Sequence, residues 1–306
     1  MPARSTNLCI LACLLAVIIF AGAEWKYETQ TYSPVVSKHI LTPPADAKLL
    51  LLPAADPQPE VDQPAVAQDK PPRGVPILMY HKVSPDPNVG GLTYRVPPDD
   101  FDWQMHYLQE NGYHTVDIGA VVDHFQKGAD LPEKAVVITL DDGYQDNYVF
   151  AFPILKKYGL TATVFVVTDI VGGVNEFDTK AHRQPRTSML TWDEIKEMDA
   201  GGITIGAHTL DHSQLSKISL KEAKRQIVES KQVLEKRLGK EVQYFCYPYG
   251  QYSSAVVRLV KDNGFRAATS IEPGLVTSVK DPYLLKRIAI MGQYDHQRFI
   301  KELHRD

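Results

Sequence analysis

Cysteine is scarce in this chain. Of three in 306 residues, Cys9 and Cys13 fall in the first apolar stretch and only Cys246 lies beyond it. An internal disulfide is thereby excluded for the body of the protein, which must hold by its core. Basic charge is not in excess either: 33 Lys and Arg stand against 37 Asp and Glu, a formal net charge of −4. That balance argues against a nucleic-acid partner, which calls for a basic face. No Gly-rich phosphate loop follows any apolar run, which counts against a nucleotide-binding fold. The apolar run from Leu8 to Phe20 falls short of the roughly 20 residues of a membrane-spanning helix.

What is present begins with that run. Arg4 precedes it and Ala21-Gly22-Ala23 follows as a small-x-small cleavage site, so residues 1–23 read as an export signal. An uncleaved N-terminal anchor is the alternative, and residues 1–23 are the sole candidate for membrane attachment. Either way the body is expected outside the cytoplasm, secreted or associated with membrane or cell wall. Residues 24–73 carry nine prolines and no glycine, the composition of an extended, semi-rigid linker. Residues 74–306 form the remaining domain, expected to act as a monomer.

From Gly74 short β-branched runs alternate with helical patterns. VPILMYH (75–81), YHTVDI, VVITLD, LTATVFVVTDI, ITIGAH, VQYFCYPYG, FRAATSI and YLLKRIAI read as strands. DFDWQMHYLQENG, VFAFPILKKYG, TWDEIKEMDAGG, LKEAKRQIVESKQVLEKRLG, SSAVVRLVKDNG and HQRFIKELH read as helices. Thr191 with Glu194 three residues on is a capping-box start. Leu220, Ala223, Ile227, Leu234 and Leu238 share one face of the longest helix. Such alternation predicts an α/β fold with a parallel sheet closed into a βα barrel, an open doubly wound sheet being the alternative.

Chemistry collects in two places. VVITLDD ends a buried strand on Asp141-Asp142, two like charges side by side. A plain turn would explain it; so would a site that needs one anion to hold a cation and another to move a proton. In GAHTLDH, His208 and His212 stand four apart, a spacing that lets two imidazoles converge on one metal. Thr209 occupies the place where the metalloprotease pattern has glutamate. Two imidazoles and Asp142 make the three-ligand set of a catalytic zinc. Barrel strand ends share one mouth, so the three can meet, leaving Asp141 free to accept a proton.

TLDDGY, HTLDH and YPYG, in this order, resemble the polysaccharide deacetylases (carbohydrate esterase family 4) over about residues 74–291. The resemblance implies a distorted (β/α)7 barrel that removes acetyl groups using a divalent metal, zinc first, with cobalt or nickel also fitting. It makes Asp141 the catalytic base and Asp142, His208 and His212 the metal ligands. The backbone N–H of Tyr249 would hold the oxyanion. The family's arginine two residues before the Pro of the third motif is here Cys246, read as a small buried hydrophobe. Arg287 would supply the charge from a neighbouring strand, an ordinary surface arginine being the alternative.

ILMYHKVS resembles the opening motif of the poly-N-acetylglucosamine branch, whose histidine is the general acid, making His81 the candidate. His304 reads as a solvated helix residue. The polymer partner expected is an N-acetylglucosamine-containing polysaccharide; an O-deacetylase of the acetylxylan type and a catalytically silent glycan-binding module are the alternatives. Tyr144, Tyr148, Trp192 and Tyr252 are candidate sugar-stacking surfaces, with core packing the expected role of any single one. The polar insert 172–190 should shape the substrate groove while leaving metal affinity intact.

Overall fold

Residues 72–179 and 184–305 are described by a computed structural model. The expected signal and nearly all of the linker lie outside the described residues. Within the described residues no helix is long and apolar enough to cross a membrane.

Among the described residues ten strands follow in chain order: β1 Ile77–Tyr80, β2 Lys82–Val83, β3 Arg95–Val96, β4 His114–Thr115, β5 Ala135–Leu140, β6 Thr163–Val166, β7 Thr204–Ala207, β8 Tyr244–Cys246, β9 Ala267–Pro273 and β10 Leu285–Ala289. The helices are α1 Pro98–Glu110, α2 Ile118–Lys127, α3 Phe152–Lys157, α4 Glu176–Thr179, α5 Trp192–Ala200, α6 Leu220–Leu238, α7 Ser254–Asp262 and α8 His296–Leu303. β5 through β10 pair in sequence, leaving out β4, and β1 closes the ring by pairing with both β5 and β10. Every pairing in this seven-stranded ring is parallel. The expected (β/α)7 barrel is therefore the observed one, and the open sheet does not occur.

Its distortion has a local origin. β4 occupies the edge of β5 at Ala135 and Val136, and β6 takes over the same edge at Thr139 and Leu140. On the far side, β7 and β8 share one register pair, Ala207 opposite Phe245.

The period of two in a strand sorts side chains between barrel interior and helical layer. Ala135 and Val137 of β5 join an inner cluster with Ile77, Phe165, Tyr244 and Cys246, whereas Val136, Ile138 and Leu140 join the outer core. Gly206 makes room inside, since a Cβ there would lie 2.5 Å from the Phe165 ring. α2 adds Ile118, Val121 and Val122 to the inner cluster and so stoppers the N-terminal end of the barrel. Each such fully buried side chain contributes about 1.5–3 kcal/mol.

Some elements differ from the sequence expectation. YHTVDI yields only the two-residue β4, because Asp117 ends the strand by capping α2, its Oδ1 accepting from the Gly119 N–H at 2.6 Å. VFAFPILKKYG starts with a π-type turn, Asn147–Ala151, and α3 begins at Phe152. Pro153 thus sits directly after the π-type turn, at the point where the winding changes to α-helical. The capping box at Thr191 and Glu194 forms as read.

Candidate active site

Strand alternation puts Asp141 inside the barrel. The inward positions of β5 run Ala135, Val137, Thr139 and then Asp141, whose N–H donates to the Tyr80 carbonyl at 2.9 Å. The same alternation would send Asp142 outward. Instead Asp142 has φ 75°, and this left-handed step returns its carboxylate to the barrel mouth. Among the described residues the non-glycine positions with positive φ are Asp142, Thr209, His212 and Tyr249, all within the three motifs. Such backbone costs of order 1–3 kcal/mol at each position. The strain is concentrated where the polar side chains must converge.

His208 follows β7 on its inward phase, with its N–H on the Val166 carbonyl at 3.0 Å. Its Nδ1 is 2.7 Å from the Cys246 carbonyl, so Nδ1 carries a proton, and Nε2 faces Asp142 Oδ1, 3.3 Å away. His212 is set on its left-handed turn by its N–H bond to Thr209 Oγ1, and its Nε2 stands 3.2 Å from the same carboxylate oxygen. All three side chains are buried. Burial pushes Asp142 upward, but the His212 and His208 imidazoles outweigh it and hold the carboxyl well below the usual range. Burial lowers both imidazoles; His208 is nonetheless raised by Cys246 and Asp142, whereas His212 stays lowered.

This donor set fits a divalent cation. Tetrahedral N and O ligands at about 2.0–2.1 Å from zinc sit roughly 3.3 Å apart, close to the separations found. A second group, Asp141, His208 and Cys246, also brings its donor atoms within 4.8 Å of one another. It does not fit a cation, because one is already there. The Arg287 guanidinium forks onto Asp141, Nη1 to Oδ1 and Nη2 to Oδ2 at 2.7 Å each, and Nη2 lies 3.1 Å from Cys246 Sγ.

Arg287 is no surface arginine: it is 1% exposed and also donates to the Ser270 carbonyl and Thr139 Oγ1. Burial raises Asp141, and the adjacent guanidinium outweighs that and keeps the carboxyl below its ordinary value. Cys246 is buried as expected but is more than a hydrophobe, since its Sγ lies 3.5 Å from Asp141 Oδ2.

His81 follows β1 on the inward phase set by Ile77 and Met79 and lines the same cavity, of about 340 Å³. Its backbone is held by Asn147 Nδ2 on its carbonyl at 2.7 Å, and its ring meets Tyr94 edge-on at 5.3 Å. Tyr249 lines the cavity from the YPYG turn, with φ 57°. His304 is elsewhere, its Nε2 3.2 Å from the Tyr113 hydroxyl. Of the aromatic candidates, Tyr144 lines the cavity, but its hydroxyl is committed to Asp178 Oδ2 at 2.8 Å. Tyr148, Trp192 and Tyr252 are not among the lining residues; their rings pack against the outer core. The rim instead exposes Tyr94 and Ile271, which no motif marks.

The insert reaches the site itself. Leu190 N–H bonds the Gly143 carbonyl and Gln145 N–H the Ser188 carbonyl, zipping the insert to the turn that carries Asp142. Phe177 packs on His212 with ring centroids 4.2 Å apart. The insert therefore touches one of the expected metal ligands.

Known proteins are similar to this chain in sequence and in fold. The family model described as polysaccharide deacetylase matches residues 128–268. YxkH of Bacillus subtilis, which carries a polysaccharide deacetylase name, is 32% identical over 231 residues, 76% of each chain. The poly-beta-1,6-N-acetyl-D-glucosamine N-deacetylase of Staphylococcus epidermidis is 29% identical over 204 residues, 65% of this chain and 68% of its own. The solved structure of the Streptococcus pyogenes deacetylase PplD, in complex with acetate, matches with a TM-score of 0.65 at 26% identity, covering 76% of this chain and 99% of that one.

Proposed function

The chain belongs to the polysaccharide deacetylase family, and from that premise we propose that it is a metal-dependent N-deacetylase of N-acetylglucosamine-containing polysaccharide. One observation carries the reading: two adjacent carboxylates are given opposite surroundings, Asp142 between imidazoles and Asp141 in a guanidinium fork. Paired environments of this kind divide ligand from base.

A divalent cation held by Asp142, His208 and His212, zinc in the first instance, would supply Lewis acidity toward water and the acetamide oxygen. Asp141, kept ionised by Arg287, takes a proton from the water whose oxygen bonds to the acetamide carbon. The Tyr249 N–H faces the oxyanion of the tetrahedral intermediate. Protonated His81 then gives its proton to the nitrogen as the C–N bond breaks, leaving acetate and a glucosamine unit. The name borne by the Staphylococcus epidermidis relative and the place of His81 at the end of β1 support an N-acetylglucosamine polymer. Residues 1–23 support action outside the cytoplasm.

The test is release of acetate and of free amine from poly-N-acetylglucosamine, peptidoglycan, chitin oligomers and acetylxylan, with and without chelator. Equal amounts of amine and acetate, abolished by chelator and restored by zinc, are expected. Acetate without amine would indicate the O-deacetylase, and glycan binding without acetate the silent module.

A further inference from the structure

The two histidines of the site are held by different means. His208 has the partner that a ligating imidazole normally has, a hydrogen-bond acceptor on the nitrogen away from the metal side. His212 lacks it: its Nδ1 is buried and has no hydrogen-bond partner among the described residues. Apart from the Nε2 contact with Asp142, nothing polar among the described residues fixes the rotation of that ring about its Cβ–Cγ bond. What does flank it is aromatic. Phe177 lies at 4.2 Å with its plane tilted by 37°, and Tyr249 at 4.4 Å and 66°.

Tyr249 comes from the strained turn of the third motif. Phe177 comes from α4 in the insert, a segment no motif covers, and the insert is braced around it. Asp178, the next residue, accepts the Tyr144 hydroxyl at 2.8 Å. Asn175, fully buried, donates to the Pro185 carbonyl and accepts from the Thr187 N–H at 2.6 Å. Isolated bridges pair Val174 with Ser188 and Tyr144 with Met189. These contacts fix the base of a short arm whose tip places one phenyl ring on one imidazole.

We propose that Phe177 is a positioning residue for His212, substituting aromatic packing for the missing hydrogen bond and making the insert part of the metal centre. The inference rests on the metal-site reading above. It follows that metal affinity and the conformation of the groove wall are coupled, each influencing the other by the same free energy.

Equilibrium zinc affinity, from competition with a chromophoric chelator, and the visible absorption spectrum of the cobalt-loaded protein test it. Phe177→Ala should weaken zinc binding 10- to 100-fold, the range seen when an outer-shell partner of a ligand is lost, and should alter the cobalt spectrum. Phe177→Tyr, which keeps the ring, should stay within about threefold of wild type. Phe177→Leu, which keeps bulk without the ring, should fall between them and serves if the alanine variant does not fold. Melting of the metal-free variants separates a purely structural role, which would lower the midpoint and leave zinc affinity and the cobalt spectrum unchanged. Unchanged affinity and spectrum in Phe177→Leu and Phe177→Ala would overturn the inference. Wild type that binds neither zinc nor cobalt would instead overturn the metal-site reading beneath it.

Discussion

Replacing Arg287 with methionine removes the guanidinium and keeps most of the apolar stem. Asp141 is 3% exposed, and Arg287 supplies both of its 2.7 Å contacts; only the Cys246 thiol at 3.5 Å would remain. Breaking a buried pair by deleting one partner costs about 3–5 kcal/mol, because the other charge is left buried alone. Asp141 can relieve that cost by binding a proton, since burial already pushes its carboxyl upward and the guanidinium is the main group opposing this, with smaller help from His81 and His208. The carboxyl in Arg287→Met then titrates above its ordinary value rather than below it. Its ionised form, the one proposed to act as base, becomes the minority at lower pH and returns as pH rises. A general base is worth roughly 10²–10⁴-fold in rate, so kcat/KM near neutrality should drop at least about 100-fold, with the acidic limb of the pH–rate profile moved to higher pH. Acetate release from pH 5 to 10 is the assay, with thermal melting alongside. Arg287→Lys, a single donor without the fork, should fall between. Adding Cys246→Arg to Arg287→Met should recover part of the loss by returning the charge to the position the family uses. A methionine variant with an unshifted profile and kcat/KM within about threefold of wild type would refute the reasoning.

Three further outcomes are expected. Asp141→Asn should lower acetate release by about 100-fold or more while zinc affinity stays at the wild-type level; retained turnover would remove Asp141 from the role of base. Asp146, buried with Oδ2 unpartnered, is raised to about 7 by burial, whereas in the unfolded chain it ionises near ~3.9. Between those values the folded state holds the extra proton, so this site favours folding most below about pH 4 and loses up to about 4 kcal/mol as pH climbs through about 7. Asp146→Asn should flatten that slope in denaturant unfolding at pH 5 and pH 8; identical slopes for variant and wild type would count against it. Gly250 has φ 62°, and a Cβ there would lie 2.2 Å from Ile271 Cγ1. Gly250→Ala should cost about 1–2 kcal/mol from the left-handed backbone alone and reduce turnover by displacing Tyr249, measured as a lower melting midpoint and a lower kcat.

Periodicity and turn chemistry made much of this protein legible beforehand. The seven ring strands and most helices follow from local pattern, because a β-branched run flanked by polar turns has few other stable uses. The site motifs were legible too, since consecutive acids at a strand end and histidines four apart are unusual enough to stand out. What was missed has no local signature. α2 begins inside a segment that reads as a strand until Asp117 caps it. Tyr94 and Phe177 reach the cavity from irregular or short segments whose paths depend on distant partners. Tyr148, Trp192 and Tyr252 take the core-packing role expected of any single one, while which of the four aromatics would reach the cavity had no mark in the sequence.

The residue order alone determined the alternating fold and the chemical types gathered at the strand ends, both being properties of short windows. Tertiary structure decided which cation faces which acid. Arg287 meets Asp141 across 146 positions because β10, β1 and β5 are neighbours in a closed ring, and ring closure is a global property that no window contains. It also decided that Asp142 turns inward, since the left-handed step that redirects its side chain aims it at imidazoles brought in from a distant strand end.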